Sequence, residues 1–205
     1  YIMTYFHPRD FDSDQPIISD LSIFRKFKSY YGLKKPFLKA EKFVIDYDFI
    51  KGLEKHIDKI EKLKDMAGLI ILSKHNEFIA GGDLAMLRDV SSVEECQKLT
   101  RRLHRVLRKI ETLGKPVVAC LNGTTLGGGY EVTLACHYRI GLSNKKYKIG
   151  LPEVTLGLLP GAGGTQRLPR MIGIQNSIPY LLQGKTVNPQ EALKDGLIDL
   201  LSDSE

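Results

Sequence analysis

Glu131 closes the run Gly127-Gly128-Gly129-Tyr130-Glu131, and Glu153 closes Leu151-Pro152-Glu153. Each carboxylate therefore stands beside backbone that a ligand can approach closely. Three consecutive glycines strip the side chains from a strand-to-helix turn, so N–H groups in the first turn of the new helix can face an oxygen that is developing negative charge. Glu131 falls within that first turn. A second glycine pair lies in Phe78-Ile79-Ala80-Gly81-Gly82-Asp83-Leu84, just after another strand, and offers a second cluster of N–H groups. Residues of these types suit acid–base chemistry on a carbonyl compound.

The elements that must position them follow from the apolar pattern. Phe49, Leu53, Ile57 and Ile60 share one helical stripe, with Lys51, Glu54, Lys55, Asp58 and Lys59 on the other side, so an amphipathic helix starts near Asp46. Leu69 to Leu72 is a short apolar run of the kind found in strands buried on both faces. Leu99, Leu103, Val106, Leu107 and Ile110 predict a second amphipathic helix, ended by Gly114 and Pro116. Val117 to Leu121 reads as a buried strand leading through Asn122-Gly123 into the triple glycine and a helix over about 128–136. A short strand at 138–140, an exposed lysine loop at 145–148 and a helix from about Thr165 follow. A last helix starts with Asn188 as cap and Pro189 in its first position. Helix, buried strand and loop in alternation imply an α/β fold.

Residues 1–40 are different. They carry nine aromatic residues from Tyr1 to Phe37 and the prolines Pro8, Pro16 and Pro36 without a sustained period, which predicts an irregular arm packed on something. The chain divides there into a divergent N-terminal segment, 1–42, and a core, 43–205.

Composition narrows the function classes. A chain of 205 residues with 42% hydrophobic content can bury a real core. No run approaches the roughly 18 apolar residues of a membrane span, and no apolar secretory segment opens the chain. The cysteines, Cys96, Cys120 and Cys136, are odd in number and lack CxxC spacing, so core packing is expected rather than metal or redox chemistry. The net charge of +6 comes from basic residues interleaved with acids, which argues against nucleic acid and for a solvated surface or a small polyanionic ligand. His104 and His137 have no nucleophile motif beside them and read as packing or surface residues.

Five motifs in order carry a family resemblance: Phe78 to Asp83, Leu126 to Glu131, Gly150 to Glu153, Leu159 to Pro169 and Gly184-Lys185. Together they resemble the crotonase, or enoyl-CoA hydratase/isomerase, superfamily. The wording Ala135-Cys136-His137-Tyr138-Arg139-Ile140 and the separation of the two glutamates are most similar to the hydratase part of multifunctional fatty-acid oxidation proteins.

The resemblance implies a spiral of ββα units with flanking helices. It also implies an oxyanion hole from the N–H groups of Gly82 and Gly128, with Glu131 activating water and Glu153 protonating the α carbon. Which glutamate holds the proton is left open by sequence. Ala80, Gly81, Asp83, Gly127, Pro160 and Gly161 are expected around the substrate, with Asp83 mainly stabilising its turn and Pro160-Gly161 shaping the acyl pocket. Gln166 and Arg167 are expected to make structural hydrogen bonds. The implied partner is an acyl-CoA thioester, with coenzyme A as part of the substrate, no separate cofactor and no metal. A homo-oligomer, trimer or hexamer, in the cytoplasm (the mitochondrial matrix in a eukaryote) is expected by family analogy.

The match has gaps. Residues 1–42 hold no convincing version of the family's opening strand, with Lys34-Lys35-Pro36 the only candidate, and Ala85 stands where a basic residue often follows the first glycine loop. The coenzyme A phosphates therefore lack an assigned cation unless Lys34, Lys35 or the lysines at 145, 146 and 148 compensate. The family normally continues past this point, so a C-terminally truncated core is expected. Two rivals to hydration remain: another crotonase-type activity (isomerase, decarboxylase or thioesterase) and a non-enzymatic acyl-CoA-binding subunit. Isomerases of the family commonly use one carboxylate, so the pair Glu131 and Glu153 favours hydration.

Overall fold

The computed structural model describes residues 37–40, 45–63 and 66–203. In chain order the elements are β1 (Phe37–Ala40), α1 (Tyr47–Glu61), β2 (Leu69–Ser73), α2 (Leu84–Asp89), α3 (Val93–Glu111), β3 (Val117–Leu121), β4 (Thr125–Leu126) and α4 (Gly128–Leu134). Then come β5 (Tyr138–Leu142), β6 (Ile149–Gly150), a 3-10 turn at Pro152–Leu156, α5 (Gly164–Ile172), α6 (Ile174–Leu182), β7 (Thr186–Val187), α7 (Pro189–Lys194) and β8 (Leu200–Ser202).

β1, β2, β3, β5 and β8 lie side by side in that order, all parallel. β4, β6 and β7 form a second, three-stranded sheet. Single parallel bridges, Ile79 to Thr125 and Ile45 to Gly82, extend this second layer past β4. The chain thus passes from a main strand to a short crossing segment to a helix, and each pass advances one place across the main sheet. Parallel neighbours need such crossovers. This is the spiral of ββα units implied by the sequence.

Burial explains the strands and helices. Every residue of β3 is buried, as expected for a strand covered on both faces. Ile50, Leu53, Ile57 and Ile60 of α1 face the core with Val106, Leu107 and Ile110 of α3. Ile50 takes the fully buried place that the periodicity offered to Phe49, which is only partly buried. Asp46 caps α1 by accepting from Phe49 N–H at 2.7 Å. The polar flanks of α1 and α3 are joined by Arg102–Glu54 and Lys109–Asp58 pairs.

Some expectations change. Cys120 and Cys136 are buried, whereas Cys96 is exposed, because the first turns of α3 precede Leu99, the helix's first residue packed on the core. The single helix expected from Thr165 starts at Gly164 and divides at Gly173, whose φ of +86° breaks the helical path between α5 and α6. The arm at 1–36, with Lys34-Lys35-Pro36, lies outside the described residues, but Phe37–Ala40 is an edge strand in register with β2. Among the described residues no helix is long and apolar enough to cross a membrane.

Ile57 is fully buried between α1 and the sheet. Ile57→Ala is expected to lower the unfolding free energy by about 2–5 kcal/mol, seen as a lower urea midpoint at an unchanged slope.

Candidate active site

Three constraints place α4. Gly127, at φ +53°, donates its N–H to Gly150 O at 3.0 Å and so seats the turn against β6. Gly129 faces the backbone of the first glycine loop with no room for a side chain, since a Cβ there would lie 2.0 Å from Ile79 O. Tyr130 is fully buried and donates its hydroxyl to Leu197 O at 2.9 Å. The middle residue of the triple glycine, Gly128, is then the one left at the surface of the turn.

The first glycine loop meets it. Ile45 N–H donates to Gly81 O at 2.8 Å and Asp83 N–H to Ile45 O at 3.0 Å. Between them, Gly82 N–H has no acceptor among the described residues, and neither has Gly128 N–H in the first position of α4. A Cβ placed on Gly128 would lie 3.9 Å from Gly82 N and 3.0 Å from Ile45 Cδ1, so the two glycines face each other across a narrow gap.

Both carboxylates come to this gap. Glu131 is 1% exposed, and its Oε1 accepts from Ala162 N–H at 2.8 Å and Gly164 N–H at 2.7 Å. Its Oε2 would be 4.0 Å from a Cβ on Gly128. Glu153 rides on the 3-10 turn, with both carboxylate oxygens buried and without a hydrogen-bond partner among the described residues. A Cβ on Gly127 would lie 3.1 Å from Glu153 Oε1. Two vacant backbone donors and two buried acids thus share one small region.

Residues 41–204 match the family model described as Enoyl-CoA hydratase/isomerase. The chain belongs to the enoyl-CoA hydratase/isomerase family. A second model, for a domain of unknown function (DUF3473), matches residues 1–55. Among curated relatives, the "Fatty acid oxidation complex subunit alpha" of Shewanella amazonensis is 45% identical over 144 residues, which is 70% of this chain and 20% of that protein. The chain spans about a fifth of the length of the curated relatives it matches. Among solved structures, the enoyl-CoA hydratase of Bacillus anthracis is 32% identical with a TM-score of 0.71, over 77% of this chain and 60% of that one. Pseudomonas aeruginosa DspI is 29% identical with a TM-score of 0.76, over 84% and 68%.

The electrostatics of this family member separate the two acids. Burial pushes Glu131 up to about 6, although the N–H groups of Gly164 and Ala162 and the charge of Arg167 pull it back. Burial pushes Glu153 up to about 7, its own N–H offsets part of that, and the charge of Glu131 adds to it. The N–H groups of Ala162 and Gly164 favour the ionised form of Glu131, and no such donors from other residues reach Glu153 among the described residues.

The other residues singled out in the sequence fall around this pair. Ala80, Gly81 and Gly127 flank the two donors, and Asp83 Oδ1 accepts from Ala85 and Met86 N–H, which caps α2. Pro160 packs beside Gly164, and Gly161 turns its carbonyl to His104 Nε2 at 2.6 Å. His137 Nδ1 accepts from Val117 N–H, and Gln166 Oε1 accepts from Arg170. Lys145 reaches Asn122 O at 3.4 Å in the loop that enters β6, whereas Glu153 follows the strand's other end.

An open groove of about 450 Å³ beside Asp83 is lined by Asp46, Asp48, Asp83, Asp89 and Glu95 together with Tyr47, Ala85 and Met86, a lining that repels phosphate. Sequence reasoning missed the N–H groups of Ala162 and Gly164 as holders of Glu131, and Ile45 as the wall over Gly128. The glycines at 163 and 164 were a usable signal for the first; nothing local marked the second.

Unfolded, Glu153 titrates near 4.5, and folded near 7, so between these values the folded protein holds the extra proton and stability falls as pH rises. Relative to the parent, Glu153→Gln is expected to gain thermal stability as pH goes from about 4.5 to about 8, with most of the change complete just above the folded value. Melting curves across that range test it.

Proposed function

We propose that this chain is an enoyl-CoA hydratase module that adds water in the syn sense to a 2-enoyl-CoA thioester. The observation that carries the reading is the buried carboxyl of Glu153, with no partner from another residue among those described, beside Glu131 and the N–H groups of Gly82 and Gly128, which meet no acceptor among the described residues. A buried acid without partners is costly for stability, and such groups concentrate at reacting sites.

In the proposed reaction the two N–H groups hold the thioester oxygen. Glu131 takes a proton from water as the water oxygen bonds to the β carbon, and electrons move through the conjugated system to make an enolate on that oxygen. The α carbon then takes the proton of Glu153, and proton exchange with solvent resets both acids. The donors matter because charge appears on the oxygen only along the reaction path. Ala80, Gly81, Asp83, Gly127, Pro160 and Gly161 frame the thioester and its acyl chain.

The similarity to fatty acid oxidation complex subunits, with the chain about a fifth of their length, supports reading it as the hydratase part of a larger multifunctional protein. By analogy with the enoyl-CoA hydratase/isomerase family it works in the cytoplasm, or the mitochondrial matrix of a eukaryote, as a homo-oligomer, a trimer or hexamer.

Hydration of crotonyl-CoA should exceed isomerisation of a 3-enoyl-CoA. Glu131→Gln and Glu153→Gln should each lower kcat by about 10²–10⁴-fold, and full activity in both would sink the mechanism. Gly128→Val should cost about 3 kcal/mol of barrier, because the branched side chain, already 3.0 Å from Ile45 Cδ1 at its Cβ, keeps the thioester oxygen from reaching the donors. Because the base must be ionised and the acid protonated, kcat/KM should fall below the Glu131 value of about 6 and above the Glu153 value of about 7. Tight calorimetric binding of a CoA ester without turnover would instead identify a binding subunit.

A further inference from the structure

We infer that Arg167 is a positioning residue for Glu131, acting through the peptide groups that flank Ala162. This deepens the reading above and rests on Glu131 being the group that handles water. Ala162 is held on both sides: its N–H donates to Glu131 Oε1 at 2.8 Å, and its carbonyl accepts from Arg167 Nη1 at 2.8 Å. Gly164 N–H makes the second bond to the same carboxylate oxygen.

Gly164 N–H is aimed by the start of α5, but little within the stretch before it fixes the direction of Ala162 N–H. Gly161 and Gly163 interrupt it, and Gly163, at the cap of α5, brings no side-chain hydrogen bond. Arg167 supplies the missing restraint from outside. Its Nε donates to Glu111 Oε1 at 2.7 Å at the end of α3, and its side chain is only 15% exposed. Gly163 makes room for the guanidinium, since a Cβ there would lie 2.2 Å from Nη1.

α3 adds a second tie, with His104 Nε2 2.6 Å from Gly161 O. A helix with no residue at the reacting gap thereby sets the angle at which one of the two donors, Ala162 N–H, meets Glu131. The charged groups around Glu131 are Glu153 from the 3-10 turn and Arg167 from α5, with Glu111 of α3 behind the guanidinium. Arg167 also favours the ionised form of Glu131 by its charge.

The test compares the parent chain with Arg167→Gln and Arg167→Lys by ¹³C NMR titration of the Glu131 carboxyl, assigned with Glu131→Gln, alongside kcat and KM for crotonyl-CoA. In Arg167→Gln the Glu131 midpoint should rise by about one pH unit, with the acid limb of kcat/KM following it. kcat should fall about 10- to 100-fold with KM within about twofold. Arg167→Lys keeps the charge and loses one arm of the fork, so it should restore most of the midpoint and part of kcat.

It also stands in if the glutamine variant does not fold, and must then show the lower kcat with a near-parental midpoint. An unmoved midpoint and acid limb in Arg167→Gln, or parental kcat in Arg167→Lys, would overturn the inference. A parent chain that fails to hydrate would remove the hydratase reading, and the positioning role would then be read from the Ala162 amide resonance, whose shift should change in Arg167→Lys and whose parental value there would overturn it.

Discussion

The arrangement depends on how closely the first turn of α4 approaches the backbone at Ile79. No Cβ fits at Gly129, and Leu126 N–H donates to the same Ile79 carbonyl at 3.1 Å. That contact joins the segment after β2 to the segment after β3, two parts of the chain separated by α2 and α3. Once it is made, Gly82 and Gly128 stand opposite each other and the unused N–H groups of both loops share one gap. A side chain of any size at Gly129 would separate the layers, because close-packed backbone cannot yield by an ångström without breaking hydrogen bonds elsewhere.

The same gap holds two buried carboxyls. Glu131 is compensated by two backbone donors, of which Ala162 is itself held by Arg167 and, through it, by α3, while Gly164 opens α5. Glu153 has no comparable support. An uncompensated buried carboxyl is more easily kept neutral than ionised, which is why the two acids separate in proton affinity although their chemistry is identical. The fold thus makes two identical residues unequal by giving Glu131 two backbone donors from elsewhere in the chain and Glu153 none among the described residues. The layers around them are ordinary by contrast: β3 is apolar throughout, and α1 and α3 bury their stripes against the sheet.

Much of this was legible in the residues. The stripes of α1 and α3, the buried runs of β2 and β3, and the Asn188-Pro189 start of α7 are local patterns with periods of 3.6 or with cap chemistry, and they appear where those patterns placed them. The two-residue strands β4, β6 and β7 were not legible, because a strand that short has no period and exists only through its neighbours. β1 escaped for the same reason, four residues being too few to stand out among scattered aromatics. Cys96 shows the converse: a helical, partly apolar setting suggested burial, but the helix extends beyond the surface that would cover it.

By itself the sequence determined the residue types and the backbone freedom of the site: glycines where chains must touch or donors must be bare, and glutamates within a turn of them. It also carried the family, through motifs whose order survives without coordinates. Only the tertiary structure decided which donors each carboxylate meets. Ala162, Gly164 and Arg167 reach Glu131 from more than thirty residues away, and the distance from Gly127 to Glu153 is a property of β4 lying against β6. Hydrogen-bond satisfaction and burial are set by what packs around a group rather than by its neighbours in the chain, so proton affinity, unlike residue identity, had to wait for the fold.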